Sequence, residues 1–272
     1  MTRDELDIAI AWAAAEGWNP GLQDADCFYC TDPNGFLMGF LDSEPIASIS
    51  AVKYGESFGF IGFYIVKPEF RGQGYGIALW QAALDYLQGR TVGLDGVIAQ
   101  QTNYTKSGFK LVHRNIRYEG SGGGVAGPTD CVPLAQIPPE TVIAYDRRFF
   151  PEERPTFTQS WIAQSQSHAL GLIQDQALLG YGVLRPCQSG YKIGPLFADT
   201  ATMANHLFQA LIAEVPNGQP FYLDVPQVNT KAVALAERYG MSSVFETARM
   251  YTQVAPELPL HQIFGITTFE LG

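Results

Sequence analysis

The stretch Arg71-Gly72-Gln73-Gly74-Tyr75-Gly76 puts one cation and three alternate glycines at a boundary: an apolar, β-rich run ends and a helical pattern begins. Glycines let successive backbone N–H groups turn to one side with no β-carbon in the way, which makes a concave anion site. A helix opening near Tyr75 aims its unpaired N–H groups and partial positive charge at the same place, and Arg71 adds a full charge. Such a loop suits a pyrophosphate. It is not a Walker A loop, because Ile77-Ala78-Leu79 stands where Gly-Lys-Ser/Thr is required. Nor does it fit G-x-G-x-x-G, since position 77 is Ile and the runs before it read as antiparallel strands. A ligand-free glycine corner would explain the glycines, but not the arginine and helix start beside them.

Cys27 and Cys30 form a C-x-x-C with no second pair to complete a zinc site, and His113, His168, His206 and His261 are scattered. The pair lies in the apolar segment DCFYC, so two buried thiols are expected and no metal. Free thiols without a secretory leader point to the cytoplasm. A formal net charge of −10 argues against nucleic acid as the main partner. With 46% hydrophobic and 16% charged residues, the chain can build a packed core. No apolar run approaches the ~20 residues that span a bilayer, so no membrane association is expected.

The elements that must position the loop follow from periodicity and breakers. Thr2, Asp4 and Glu5 open a helix over residues 2 to 17, ended by Gly17 and Pro20. GFLMGFLD (35 to 42) and EPIASISAVKYG (44 to 55) read as strands about the turn Asp42-Ser43, and FGFIGFYIV (58 to 66) as a third. A helix of about 15 residues follows the glycine loop and ends near Gly89. Then come a strand in TVGLDGVIA, a polar segment QQTNYTKS, the pair Gly108-Phe109, and a strand in KLVHRNIRY. Residues 121 to 140 are rich in Gly and Pro and read as a linker. Beyond it the same order returns over 168 to 240, and Leu94-Asp95 is echoed by Leu223-Asp224. The glycines do not return: Asp199, Thr200 and Ala201 replace them.

Val66-Lys67-Pro68, followed by Arg71, Gly74 and Gly76, resembles the acetyl-CoA loop of the GCN5-related N-acetyltransferase (GNAT) family. The order of elements over residues 2 to 118 is similar to that family too, and the repeat is similar more weakly over 150 to 252. The resemblance implies an α+β fold class, a mixed and mainly antiparallel sheet flanked by helices, built as two tandem GNAT folds. The expected domains are 1–120, with the acyl-CoA loop, and 141–272, degenerate and not binding CoA. It also implies direct acyl transfer from acetyl-CoA to an amine, in an N-acetyltransferase with one active site per chain. Tyr64, Ile65 and Val66 would hold pantetheine and thioester through their main chain. Arg71, Gly72, Gln73, Gly74, Tyr75, Gly76 and Ile77 would hold the pyrophosphate. Tyr104, four residues before Gly108-Phe109, would protonate the leaving thiolate, and Asn103 matches the family asparagine. Trp18, Asn19 and Asp24 follow the first helix, where the family forms its acceptor pocket, although the same residues could simply make a capped turn with a packing Trp. The strand 58–66 offers no Glu as general base, leaving a water chain or a residue from the second copy. The acceptor is expected to be a small-molecule amine. A protein N-terminus or Lys, and a non-catalytic CoA-binding scaffold, stay open beside it, as does the oligomeric state.

Overall fold

The computed structural model describes residues 1–123 and 130–272. Helix α1 (Arg3–Ala15) starts with a capping box between Thr2 and Glu5. It is followed by α2 (Asp24–Thr31), in a stretch whose sequence reads as loop and turn. No side chain caps α2; packing holds it, with Phe28 stacked on Trp161 at 5.9 Å. Strands β1 (Phe36–Leu41) and β2 (Glu44–Tyr54) meet at Asp42-Ser43, both left-handed at φ 48° and 69°, as a tight hairpin turn requires. Next come β3 (Phe58–Val66), α3 (Tyr75–Tyr86), β4 (Thr91–Val97), α4 (Gln101–Lys106) and β5 (Lys110–Ser121). Helix α4 lies in the polar segment QQTNYTKS.

Within the expected linker, 124–129 lie outside the described residues, and the flanks are partly ordered as β6 (Cys131–Pro133) and the start of α5 (Pro139–Asp146). Helix α6 (Pro155–Ile162) completes a helical pair that stands to the second copy as α1 and α2 stand to the first. Strands β7 (His168–Gln174) and β8 (Ala177–Pro186) repeat the hairpin, with Asp175 and Gln176 at φ 51° and 65°. The chain ends through β9 (Tyr191–Ala198), α7 (Ala201–Ala213), β10 (Pro220–Pro226), α8 (Thr230–Arg238), β11 (Ser242–Tyr251) and β12 (Ile263–Gly265).

The described strands form one 12-stranded sheet in the order β1-β2-β3-β4-β11-β5-β10-β9-β8-β7-β6, with β12 on β9. Only β3–β4 and β9–β10 pair in parallel, so the sheet is mixed and mainly antiparallel. The copies exchange their last strands. Strand β11 of the second copy lies between β4 and β5, and β5 of the first runs against β10. Two buried cross-strand ion pairs mark the exchange: Arg249 on Asp95 (2.5 and 2.9 Å) and Arg117 on Asp224 (2.7 and 2.8 Å). In each, the aspartate is the one in the repeated Leu-Asp, and the arginine comes from the other copy. Removing one partner of such a pair leaves a buried charge uncompensated, at a cost of about 3–5 kcal/mol.

Alternate strand residues face two layers. Phe58, Phe60 and Phe63 join a core under α1, α2, α5 and α6 that spans both copies, while Ile61 faces α3 and α4. Helices α7 and α8 cover the corresponding face of the second copy. Cys27 is buried, its thiol pushed up to about 11 by desolvation, but Cys30 is exposed, against the expectation of two buried thiols. Among the described residues no helix is long and apolar enough to cross a membrane, and no group of three or more His, Cys, Asp or Glu is arranged to hold a metal.

Candidate active site

Strands β3 and β4 pair from Phe58–Thr91 to Ile61–Leu94 and then part. At that point β3 bulges against β2, with Phe63 left-handed at φ 47° and its carbonyl accepting from the Ser48 hydroxyl at 2.9 Å. The parting strands leave a wedge, and a cavity of about 500 Å³ fills it. Gly62 to Val66 line one side and Asp95 to Val97 the other.

The glycine loop stands on this cavity. Gly72 and Gly74 are left-handed at φ 75° and 90°, which only glycine adopts without strain. Gly74 is the N-cap of α3 and supplies no side-chain cap, and no acid occupies the first turn. The first N–H groups of α3 are therefore free of side-chain partners, beside a cationic residue. The matching helix α7 is sealed: the Thr200 hydroxyl accepts from Met203 N–H at 3.3 Å. Arg71 donates from Nε to the Val66 carbonyl (2.8 Å) and from Nη2 to Glu16 at the end of α1 (2.5 Å).

Lining residues come from both faces of the sheet. Tyr64, Trp80 and Tyr104 belong to the core cluster under α3 and α4, and the Trp80 ring packs at a tilt against Tyr64 (5.3 Å) and Tyr104 (5.5 Å). Tyr104 is buried, and desolvation, with a smaller contribution from Tyr64, pushes its hydroxyl up to about 12. It stays protonated through the neutral range. On the other face lie Trp18, Phe63, Phe245, Phe269 and Glu270, of which Phe245, Phe269 and Glu270 come from the second copy.

The equivalent wedge of the second copy is filled by the chain itself. Strands β9 and β10 pair only from Tyr191–Phe221 to Ile193–Leu223, and β12 then pairs with β9, while Ile266 N–H donates to the Asp224 carbonyl at 2.9 Å.

Of the residues marked by the sequence, Tyr64, Ile65, Val66, Arg71, Gly72, Gly74, Gly76, Ile77, Tyr104 and Trp18 line the cavity. Gln73 and Tyr75 lie in the loop but not in the cavity lining; Gln73 donates to the Glu69 carbonyl and Tyr75 meets the Phe70 ring edge-on. Asn103 is exposed and donates to Gln100. Asn19 and Asp24 are not among the residues that line the cavity. Asp24 is fully buried and ion-paired with Arg185 at 2.8 Å, and Asn19 is bonded through its side chain to both main-chain groups of Ser189. Both join the copies. Trp80, Phe245, Phe269 and Glu270 escaped the sequence reading. The one signal for Glu270 is a lone charge in the apolar tail ITTFELG.

An open mixed sheet, parted at a bulge with a glycine loop and helix N-terminus over the gap, and repeated with exchanged strands, defines a tandem transferase fold. Residues 5–109 match the model of the acetyltransferase (GNAT) family, and residues 142–265 match a second acetyltransferase (GNAT) domain model. The chain is 31% identical over 270 residues to holothin acyltransferase of Pseudoalteromonas sp. (strain SANK 73390), covering 99% of this chain and 92% of that protein. A Pyrococcus horikoshii structure solved as a candidate acetyltransferase superposes with TM-score 0.84 at 22% identity over 100% of this chain and 94% of that one. A tandem GNAT protein from the clavulanic acid biosynthesis pathway superposes with TM-score 0.62 at 12% identity, over 94% and 98%. This chain belongs to the GNAT family as a tandem member, and it is an acyltransferase.

Proposed function

We propose that the chain transfers an acetyl group from acetyl-CoA to the primary amine of a small molecule, at one site per chain, in the wedge between β3 and β4. The observation that carries this is the uncapped N-terminus of α3 over an open wedge, set against a capped α7 and a wedge filled by β12. The amides from Arg71 to Ile77 and the Arg71 guanidinium hold the pyrophosphate. The main chain of Tyr64, Ile65 and Val66 holds the pantetheine arm and orients the thioester carbonyl.

Tyr104 donates its proton to the departing thiolate. A hydroxyl held near 12 is a weak acid, but the desolvation that raises it also raises a thiol in the same cavity, so the two proton affinities move together. The amine enters from the face of Trp18, Phe245 and Phe269, aromatic walls that favour a small, partly apolar molecule over an extended peptide. Holothin, on which the relative acts by its name, is the first acceptor to try. Four free cysteines and a CoA thioester donor make the cytoplasm the proposed compartment.

The test is thiol release from acetyl-CoA with holothin, a panel of small amines, and peptides with free N-termini or Lys. Release with a small amine is expected. Release with peptides alone would move the acceptor class, and acetyl-CoA binding without release for any acceptor would replace the enzyme reading with a binding protein.

A further inference from the structure

The end of the chain threads both bulges. A β-carbon at Gly194 would stand 2.4 Å from the Thr267 carbonyl, and one at Gly62 would stand 2.1 Å from the Glu270 carbonyl. These glycines are equivalent in the repeat, each following an isoleucine, Ile193 and Ile61. Glycine is needed at both because the tail backbone lies directly on the strand. The Tyr54 hydroxyl then holds the Leu271 carbonyl at 3.0 Å. A tail anchored this way crosses from the second copy into the first and delivers Glu270 to the cavity.

Three carboxylates line that cavity: Glu16, Asp95 and Glu270. Glu16 is ion-paired to Arg71 at the loop, and Asp95 is held by Arg249 and Asn115. Glu270 is 2% exposed; its Oε2 accepts from the Thr268 hydroxyl, and its Oε1 has no hydrogen-bond partner among the described residues. An unpartnered carboxylate oxygen in a buried position is costly, and it is retained here beside a cavity able to hold a donor. From the protein side, Arg117 on β5, Arg185 on β8 and Lys192 on β9 are close enough to sense its charge, with Asp224 and Asp24 as partners of the two arginines.

Resting on the acyl-transfer reading above, we propose that Glu270 Oε1 accepts the proton that the acceptor nitrogen loses, so that the second copy supplies a catalytic group to the site of the first. The neutral amine attacks the thioester carbon with its lone pair, and the carbonyl π pair moves onto oxygen. Collapse of that oxyanion breaks the C–S bond. The nitrogen gives its surplus proton to Glu270, and the thiolate takes one from Tyr104. Exchange with water returns Glu270 to carboxylate and Tyr104 to phenol, leaving amide and free thiol.

The experiment compares wild type, E270Q and E270D in acetyl-CoA affinity by calorimetry and in thiol release with the amine that wild type acylates best, starting from holothin. The expected result is acetyl-CoA affinity within threefold of wild type and a kcat for E270Q lower by roughly 100-fold or more. E270Q turning over at the wild-type rate overturns the inference. If neutralising the buried charge prevents folding, E270D decides: it keeps the charge but withdraws the oxygens, so a folded E270D should lose at least about tenfold in kcat, and one with wild-type turnover overturns the inference. Wild type that binds no acetyl-CoA overturns the acyl-transfer reading together with this one, whereas active wild type with active E270Q removes Glu270 alone.

Discussion

Tyr104 illustrates how far a single residue could be read. Its spacing before Gly108-Phe109 marks it in the sequence, and the fold buries it against Trp80 on the cavity. Y104F keeps that packing and removes only the proton, so kcat should fall by about 100-fold while acetyl-CoA affinity changes little; equal turnover in a thiol-release assay removes Tyr104 from the reaction. His113 was a scattered histidine in the sequence and became informative only when buried. Desolvation, aided by the nearby Arg249 charge, holds it down to about 4 against 6.5 for a free histidine. Well above pH 6.5 it is neutral in both states and contributes nothing to pH dependence. Between 6.5 and 4 the unfolded chain takes up a proton that the folded chain refuses, so stability falls as pH falls. The loss is about 2 kcal/mol at pH 5. Urea unfolding at pH 7 and 5 should show it, and H113Q should remove that share. Asp24 shows the opposite limit. Its place after the first helix suggested an acceptor contact, but an aspartate carries no mark of which distant arginine will claim it.

The elements that the sequence revealed are those whose cause is local. Helix α1 has its capping box, the hairpins have their two-residue turns, and β3 has an apolar run bounded by breakers. Helix α2 was missed because it is short, has no side-chain cap and draws its order from packing, whereas α4 was expected only from the family's order of elements. The glycine loop with α3 is a local device, and its test is local too. R71E puts a second carboxylate beside Glu16, and G74E forces a side chain into a φ of 90° at the mouth of the anion site. Each should weaken acetyl-CoA binding by at least about tenfold, close to 1.4 kcal/mol, with unchanged far-UV circular dichroism. Unchanged affinity in both would separate the loop from the cofactor.

For the whole molecule, strand exchange is decisive. The first copy without β11 leaves β4 and β5 with bare edges and strands Asp95, and the second copy without β5 does the same to Asp224. Residues 1–123 expressed alone should therefore be insoluble or aggregated, while co-expression with 130–272 should restore a folded complex by size-exclusion chromatography. A soluble, folded monomer of 1–123 would contradict this. The sequence by itself determined the repeat and the copy that keeps its glycine loop, while the mixed sheet was implied by the family resemblance. The first two depend on periodicity, turn residues and glycine geometry within a few positions. Only the tertiary structure decided that the copies trade strands, that β12 fills one wedge, and that Glu270 reaches the other. Each of these is a pairing between segments far apart in the chain, and nothing in a segment's own pattern specifies its distant partner.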